Sequence, residues 1–142
     1  MRTVTRSFIA AAALAGAATF AHAQSEAEMI KAAEAASLSW LALLDATDYA
    51  GSWNQTSTLF RSKVTQAHWD EAAQSMRGTF GPVLKRTLSS AQFFKTLPGA
   101  PDGQYVVIQY DTAFEHKAGA VETVTPMREA DGTWKVGGYF VK

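Results

Sequence analysis

Apolar positions recur at intervals of three and four along the first part of the chain. Met29, Ile30, Ala33, Ser37, Trp40, Leu41 and Leu44 form one stripe, and Lys31, Glu34, Ser39 and Asp45 fall mostly off it. That period predicts an amphipathic helix over residues 26–46. Ser25-Glu26-Ala27-Glu28 has the S-x-x-E form in which the first and fourth residues satisfy each other's free backbone donors at a helix start. Thr47 or Asp48 can cap a second helix, carrying Tyr49, Trp53, Ser57 and Phe60 as a narrow aromatic stripe. Gly51 and the run from Asn54 to Thr58 weaken that helix. Thr65 can cap a third, with Trp69, Ala72, Ala73, Met76 and Phe80 on one face, and Gly81-Pro82 stops it.

After Pro82 the helical period is lost. Residues 83–96 fit a long, bent strand using Val83, Leu84, Leu88, Phe93 and Phe94. Leu97 to Gly103 is dense in turn residues and reads as an exposed connection. Tyr105 to Lys142 then reads as three antiparallel strands. Asp131-Gly132 predicts a two-residue type I′ hairpin pairing Glu129 with Trp134, Met127 with Val136, Thr125 with Gly138 and Thr123 with Phe140. Taking Ala118-Gly119 as the other turn sets Phe114 opposite Thr123 and Tyr110 opposite Met127, and the two registers agree. One face then carries Ile108, Tyr110, Thr112, Phe114, Thr123, Thr125, Met127, Val136, Gly138 and Phe140. Gln109, Asp111, Glu115, Glu122, Arg128, Lys135 and Tyr139 go to the other, which looks like solvent. A one-residue slip would exchange these sets. Pro126 cannot donate to a ladder and marks an edge or a bulge. Helices first and strands afterwards give an α+β domain: three helices on a curved antiparallel sheet of about four strands.

The chain opens MRTVTRSFIAAAALAGAATFAHAQ, with Arg2 and Arg6 before an uncharged apolar run and an Ala21-His22-Ala23 cleavage site. This reads as a secretory signal peptide over residues 1–23, cleaved after Ala23, with one α+β domain over 24–142 and a periplasmic or secreted address. The run is too short to be a bilayer span, which needs about 20 residues. Cleavage removes two arginines and no acid, so the balance moves from 13 − 13 to 11 − 13, a net of −2. There is no basic run, so nucleic acid is not expected as a partner. The remaining chain has no stretch apolar enough to span a membrane. The absence of cysteine excludes thiol catalysis, thiolate metal sites and disulfides.

Several of these residues, in order, resemble a known family. They are Asp48-Tyr49 with Ser52-Trp53, Trp69, Arg77 to Gly81, Arg86, the loop from Leu97 to Tyr105, Phe114-Glu115-His116-Lys117, Glu122-Thr123, and Asp131 to Tyr139. Together they are similar to the small exported bacterial proteins grouped as domain of unknown function 4019. These in turn resemble the cone-shaped nuclear transport factor 2-like domains. The resemblance implies a periplasmic location and the α+β fold, and no activity. The cone fold hosts isomerases, dehydratases, hydrolases and non-enzymatic binders, so fold alone decides nothing.

The candidate chemistry is sparse. Trp40, Trp53 and Trp69 lie on helical stripes and Tyr110 on the apolar sheet face. They form either a plain core, the favoured reading, or an aromatic pocket between sheet and helices. Arg77 and Arg86 flank Gly81-Pro82 and either clamp an anion or pair with surface acids. His68 and His116 are isolated, and His68-Trp69-Asp70-Glu71 is not a zinc helix, so neither metal nor cofactor is expected. No nucleophile elbow and no phosphate loop is present; Gly137-Gly138 reads as a bend within a strand. The preferred function is a non-catalytic ligand-binding or protein-interaction module, with a small ligand, an envelope protein or a second copy as partner. The alternative is an isomerase or dehydratase with Glu122 or Asp111 as base and Tyr110 or Tyr139 as donor. That alternative gains if the first turn differs by one residue, which would carry Glu122 inward.

Overall fold

The computed structural model describes residues 24–142, so the leader and cleavage site expected from the sequence lie outside the described residues. Four helices precede four strands. They are α1 (Glu26–Asp45), α2 (Tyr49–Asn54), α3 (Thr58–Lys63), α4 (Gln66–Phe80), β1 (Val83–Phe94), β2 (Tyr105–Phe114), β3 (Lys117–Arg128) and β4 (Trp134–Val141). The strands form one antiparallel sheet in sequence order. The helices pack on one of its faces, giving the expected α+β fold with four helices rather than three.

The capping box closes α1: Glu28 N–H donates to Ser25 Oγ, and Ser25 N–H to Glu28 Oε2 at 2.8 Å. Met29, Ala33, Ser37, Trp40, Leu41 and Leu44 are buried, which is the expected stripe. Asp48 caps α2 and Thr65 caps α4. The second helix splits where its propensity is weakest. Thr56 leaves the helix to form a parallel bridge with Val136 of β4. Ser57 donates its N–H to the Val136 carbonyl at 2.8 Å, and its hydroxyl caps α3 through Phe60 N–H. Tertiary pairing and a local serine cap together outcompete a marginal helix. On α4 the buried positions are Trp69, Ala73 and Arg77, while Ala72 is exposed and Met76 half-buried. Gly81, at φ 75°, ends α4 with its N–H on the Arg77 carbonyl.

Both hairpins differ from the sequence expectation, and the differences decide what faces inward. The first turn is Glu115-His116, not Ala118-Gly119, with Phe114 opposite Lys117. Tyr110 therefore pairs with Glu122, and Thr112 with Ala120. The shift is odd, so β3 rotates by one face. Ala120, Glu122, Val124 and Pro126 point toward the helices and are buried. Thr123, Thr125 and Met127 lie on the opposite face. The solvent-facing assignment of Glu122 is thereby overturned: its side chain is 0% exposed.

The second turn is one residue longer than a type I′ hairpin. Gly132 N–H donates to the Glu129 carbonyl, Glu129 N–H to the Thr133 carbonyl, and positive φ falls on Gly132. This is a three-residue loop with glycine in the left-handed position. It sets Arg128 opposite Trp134 and Pro126 opposite Val136. A register shift beside Pro126, on the strand that Gly137 bends, then restores the expected pairs Thr125–Gly138 and Thr123–Phe140. Trp134 and Val136 thus face the helices before the bend, and Tyr139 after it. Phe140, expected in the core, is 49% exposed on the outer face, while Phe114 is buried as expected.

The core gathers Met29, Ala33, Leu41, Leu44, Val106, Ile108, Val124 and Val136 with Trp40, Trp69, Tyr110 and Trp134.

Candidate functional site

Glu122 is the centre of a polar network beneath the helices, in which Arg77 Nε and Nη2 are buried without a hydrogen-bond partner among the described residues. Strand alternation aims it inward from β3, with Thr112 on the neighbouring strand β2 and Arg86 opposite Thr112 on β1. Arg86 donates through Nε to Glu122 Oε1 at 2.6 Å and through Nη2 to Oε2 at 3.2 Å. The Thr112 hydroxyl donates to Oε1 at 2.6 Å, and the Tyr139 phenol to Oε2 at 2.5 Å. Arg77 Nη2 lies 3.6 Å from Oε2, an ion contact beyond hydrogen-bonding range.

Asp45 ties the same arginines to α1. Its carboxylate accepts from Arg77 Nη1 at 2.9 Å and from Arg86 Nη1 and Nη2 at 2.8 and 3.1 Å. As the last residue of α1, Asp45 sits at the negative end of the helix dipole, and α1 has no basic residue in its last turn. Two guanidiniums from α4 and β1 supply the compensating charge. Four charges, two of each sign, sum to zero. The Asp45 side chain is 31% exposed, Arg86 12%, Arg77 5% and Glu122 0%. The network therefore meets solvent mainly at Asp45. Asp45 and Arg77 also line a groove of about 230 Å³ with Leu44, Tyr49, Gly81 and Pro82.

The titration behaviour follows from this geometry. Burial would raise the Asp45 carboxyl, but hydrogen bonds and charge from Arg86, then Arg77, reverse this and hold it below its ordinary value. Burial disfavours the Arg86 cation, and its bonds to Asp45 and Glu122 outweigh that, so it is held charged more firmly than a free guanidinium. Burial, then the Glu122 charge, pushes the Tyr139 phenol well above its usual range. Tyr110 is pushed up to about 12, by burial first and next by the charge of Glu34.

The candidate residues thus separate. Arg77, Arg86, Glu122 and Tyr139 meet in one network. Tyr110 pairs with Glu122 in register, but its buried hydroxyl has no hydrogen-bond partner among the described residues. Trp40 and Trp69 are core, with ring centroids 5.8 Å apart. Both indoles donate to Ser52, Trp40 to its carbonyl at 2.9 Å and Trp69 to its hydroxyl at 2.8 Å. Tyr139 packs edge-on against Trp40 at 5.2 Å. Trp53 is half-buried and donates to the Val64 carbonyl. Trp40 also borders a groove of about 370 Å³ with Ala36, Ser39 and Leu43 of α1 and Trp134 and Val136 of β4. Asp111, the other candidate base, is exposed on the outer face, opposite Val121.

Sequence reasoning missed Asp45 and Thr112 as members. Asp45 had a signal: an acid closing a helix with no basic residue nearby calls for a cation from elsewhere. Thr112 had only its place on the inner face of β2.

The chemical capacity of Glu122 is limited by its partners. Both oxygens accept two hydrogen bonds each, from Arg86 Nε and Thr112 on one and Arg86 Nη2 and Tyr139 on the other. A carboxylate has about four lone-pair sites, so none is left to take a substrate proton. Glu122 also lines none of the four described grooves. Among the described residues no group of three or more histidines, cysteines and carboxylates is placed to hold a metal ion. No described helix is long and apolar enough to cross a membrane.

A family description, protein of unknown function (DUF4019), matches residues 35–139. The chain belongs to this family. The matched segment of this DUF4019 protein runs from the middle of α1 to Tyr139 and so contains every member of the Glu122 network. No curated protein matches the chain.

Proposed function

We propose that this DUF4019 protein is an exported, non-catalytic interaction module. The leader-like segment at residues 1–23 supports the exported, periplasmic address. The observation that carries the non-catalytic reading is the saturation of Glu122: a buried acid held by a guanidinium and two hydroxyls is a structural pin. The isomerase or dehydratase alternative asks for a buried carboxylate at an open pocket. Glu122 meets the first condition, and its donors and position take away the second.

The test is the sign of a stability change. Replacing a catalytic acid usually leaves a protein as stable or more so, because active sites are strained. Removing one partner of a buried ion pair destabilises it. Glu122→Gln is expected to melt well below wild type. A variant that melts at or above wild type would overturn the structural role and reinstate Glu122 as a reacting group.

A further inference from the structure

The tryptophans differ in one respect. Trp40 donates its indole N–H to the Ser52 carbonyl at 2.9 Å, Trp69 to the Ser52 hydroxyl at 2.8 Å, and Trp53 to the Val64 carbonyl at 2.9 Å. Trp134 is 8% exposed, and its buried N–H has no acceptor among the described residues. A buried indole ordinarily finds a partner, and a donor left unpaired in the interior costs stability.

Trp134 is also a wall of the groove between α1 and β4, together with Ala36, Ser39, Trp40 and Leu43 of α1 and Val136 of β4. Ala36 and Leu43 stand two turns apart, so the lining follows α1 for about 10 Å. The volume of about 370 Å³ is within the range of small-molecule sites, about 300–1,000 Å³. The walls are mostly hydrocarbon and aromatic. Among the described residues Lys135 is the one charged residue that borders the groove. Its ammonium donates to the Gln55 amide oxygen at 2.9 Å, and a neutral amide does not cancel its charge. Glu129 and Asp131 border Lys135 in the neighbouring hollow, but the ion pairs among the described residues belong to Arg77 and Arg86.

We propose that this groove binds a small carboxylic acid with an apolar body. The body lies along α1, and the carboxylate accepts from the Trp134 N–H and faces the Lys135 ammonium. One head can address both groups, because the two residues are consecutive on an edge strand and border the same groove.

The lining argues for this class over others. Water pairs with the N–H but gains little against apolar walls. A cation meets Lys135 and finds no carboxylate in the lining. A bare hydrocarbon fills the groove and leaves the indole donor unpaired. An apolar acid covers the walls, supplies the missing acceptor and brings the opposite charge, and hydrogen bonds between charged and polar groups are the stronger ones.

This inference rests on the interaction-module reading and names its class of ligand. Isothermal titration calorimetry of the purified protein with sodium octanoate tests it. Octanoate is expected to bind one to one with a sub-millimolar Kd. Each buried methylene contributes about fourfold in affinity, so hexanoate should bind roughly 15-fold more weakly. 1-Octanol keeps the chain and loses the charge, and should bind about five- to tenfold more weakly than octanoate. Trp134→Phe keeps an aromatic wall without the N–H, and Lys135→Met removes the cation; each should weaken octanoate at least about fivefold. Ser39→Phe puts a ring into the groove from an exposed helix position and should abolish binding, so it reports even if Trp134→Phe does not fold. Phe140→Ser, on the opposite face of the sheet, should leave the affinity unchanged. The absence of saturable binding at millimolar octanoate overturns the inference. So does 1-octanol binding as tightly as octanoate, a site indifferent to both Ser39→Phe and Lys135→Met, or one lost in Phe140→Ser. Glu122 does not border this groove, so none of these outcomes alters the sign expected for Glu122→Gln, and the two readings fail separately.

Discussion

Arg86 and Glu122 offer a double-mutant cycle whose outcome the geometry fixes. Arg86→Met removes every hydrogen-bonding guanidinium from Glu122, leaving two hydroxyls and Arg77 at 3.6 Å around a fully buried charge. Glu122→Leu leaves two buried cations facing Asp45 alone and orphans the Thr112 and Tyr139 hydroxyls. Breaking a buried pair from one side costs about 3–5 kcal/mol, so each single variant should lose about that much. The double variant keeps a neutral Arg77–Asp45 pair at 2.9 Å, and only the two hydroxyls remain unpaired. At about 1–2 kcal/mol for each unpaired hydroxyl, it should lose about 2–4 kcal/mol, not the sum of the singles. The shortfall is at least about 2–3 kcal/mol, near the upper end for residues in contact. Urea unfolding followed by tryptophan fluorescence measures it. With m near 1.5–2 kcal/mol/M for a chain of this size, the double variant should hold to a urea midpoint about 1–2 M above the sum of the two losses. Additive losses would show that the charges are independently solvated and refute the buried pin.

Tyr139→Phe keeps the ring against Trp40 and removes only the bond to Glu122; it should cost about 1.5–3 kcal/mol, as hydrogen bonds to charged groups do. A loss under about 0.5 kcal/mol in urea unfolding would mean that the phenol does not hold Glu122. Acid stability should depend on Asp45. Its folded pKa lies below the ordinary 3.8, so its contribution is complete above that value and is lost as pH falls through the folded one. Asp45→Asn should flatten this part of the pH–stability curve below pH 4, and an unchanged slope there would exclude Asp45 as the source. Tyr110 and Tyr139 titrate above their ordinary value of 10, so stability is retained below pH 10 and should decline above it, through about 12 for Tyr110. Gly81→Ala should destabilise by about 1–3 kcal/mol, because φ is 75° and a Cβ would sit 2.9 Å from His116 Cδ2 and 3.2 Å from Glu115 Cβ. A melt within a degree of wild type would mean that the α4–β1 corner yields freely.

The fold was legible because helical stripes and turn residues are local. The stripe from Met29 to Leu44, the Ser25 and Thr65 caps and the stop at Gly81-Pro82 each depend on residues a few positions apart, and each reappears in the structure. The split after Asn54 depends on Val136, some eighty positions downstream, and nothing near Thr56 announces it. The site was half legible. Arg77, Arg86, Glu122 and Tyr139 stood out by residue type, but their convergence depends on register. Placing the first turn at Glu115-His116 rather than Ala118-Gly119 turns β3 over, and the second turn gains a residue that Gly137 then cancels. Two compensating errors on β4 leave Thr123 opposite Phe140 as expected, yet on the other side of the sheet. Agreement between two turns fixes a register only if neither strand bulges.

The Gly137 bend makes the short run from Trp134 to Tyr139 a ruler as much as a strand. Its side chains can change one at a time, but its length cannot. Losing or gaining one residue there would swing the Tyr139 phenol out into water and carry Phe140 inward beneath the helices. The acid at the centre would lose a donor and the outer face its protruding ring in the same event. Spacing, more than composition, is what this last strand has to preserve.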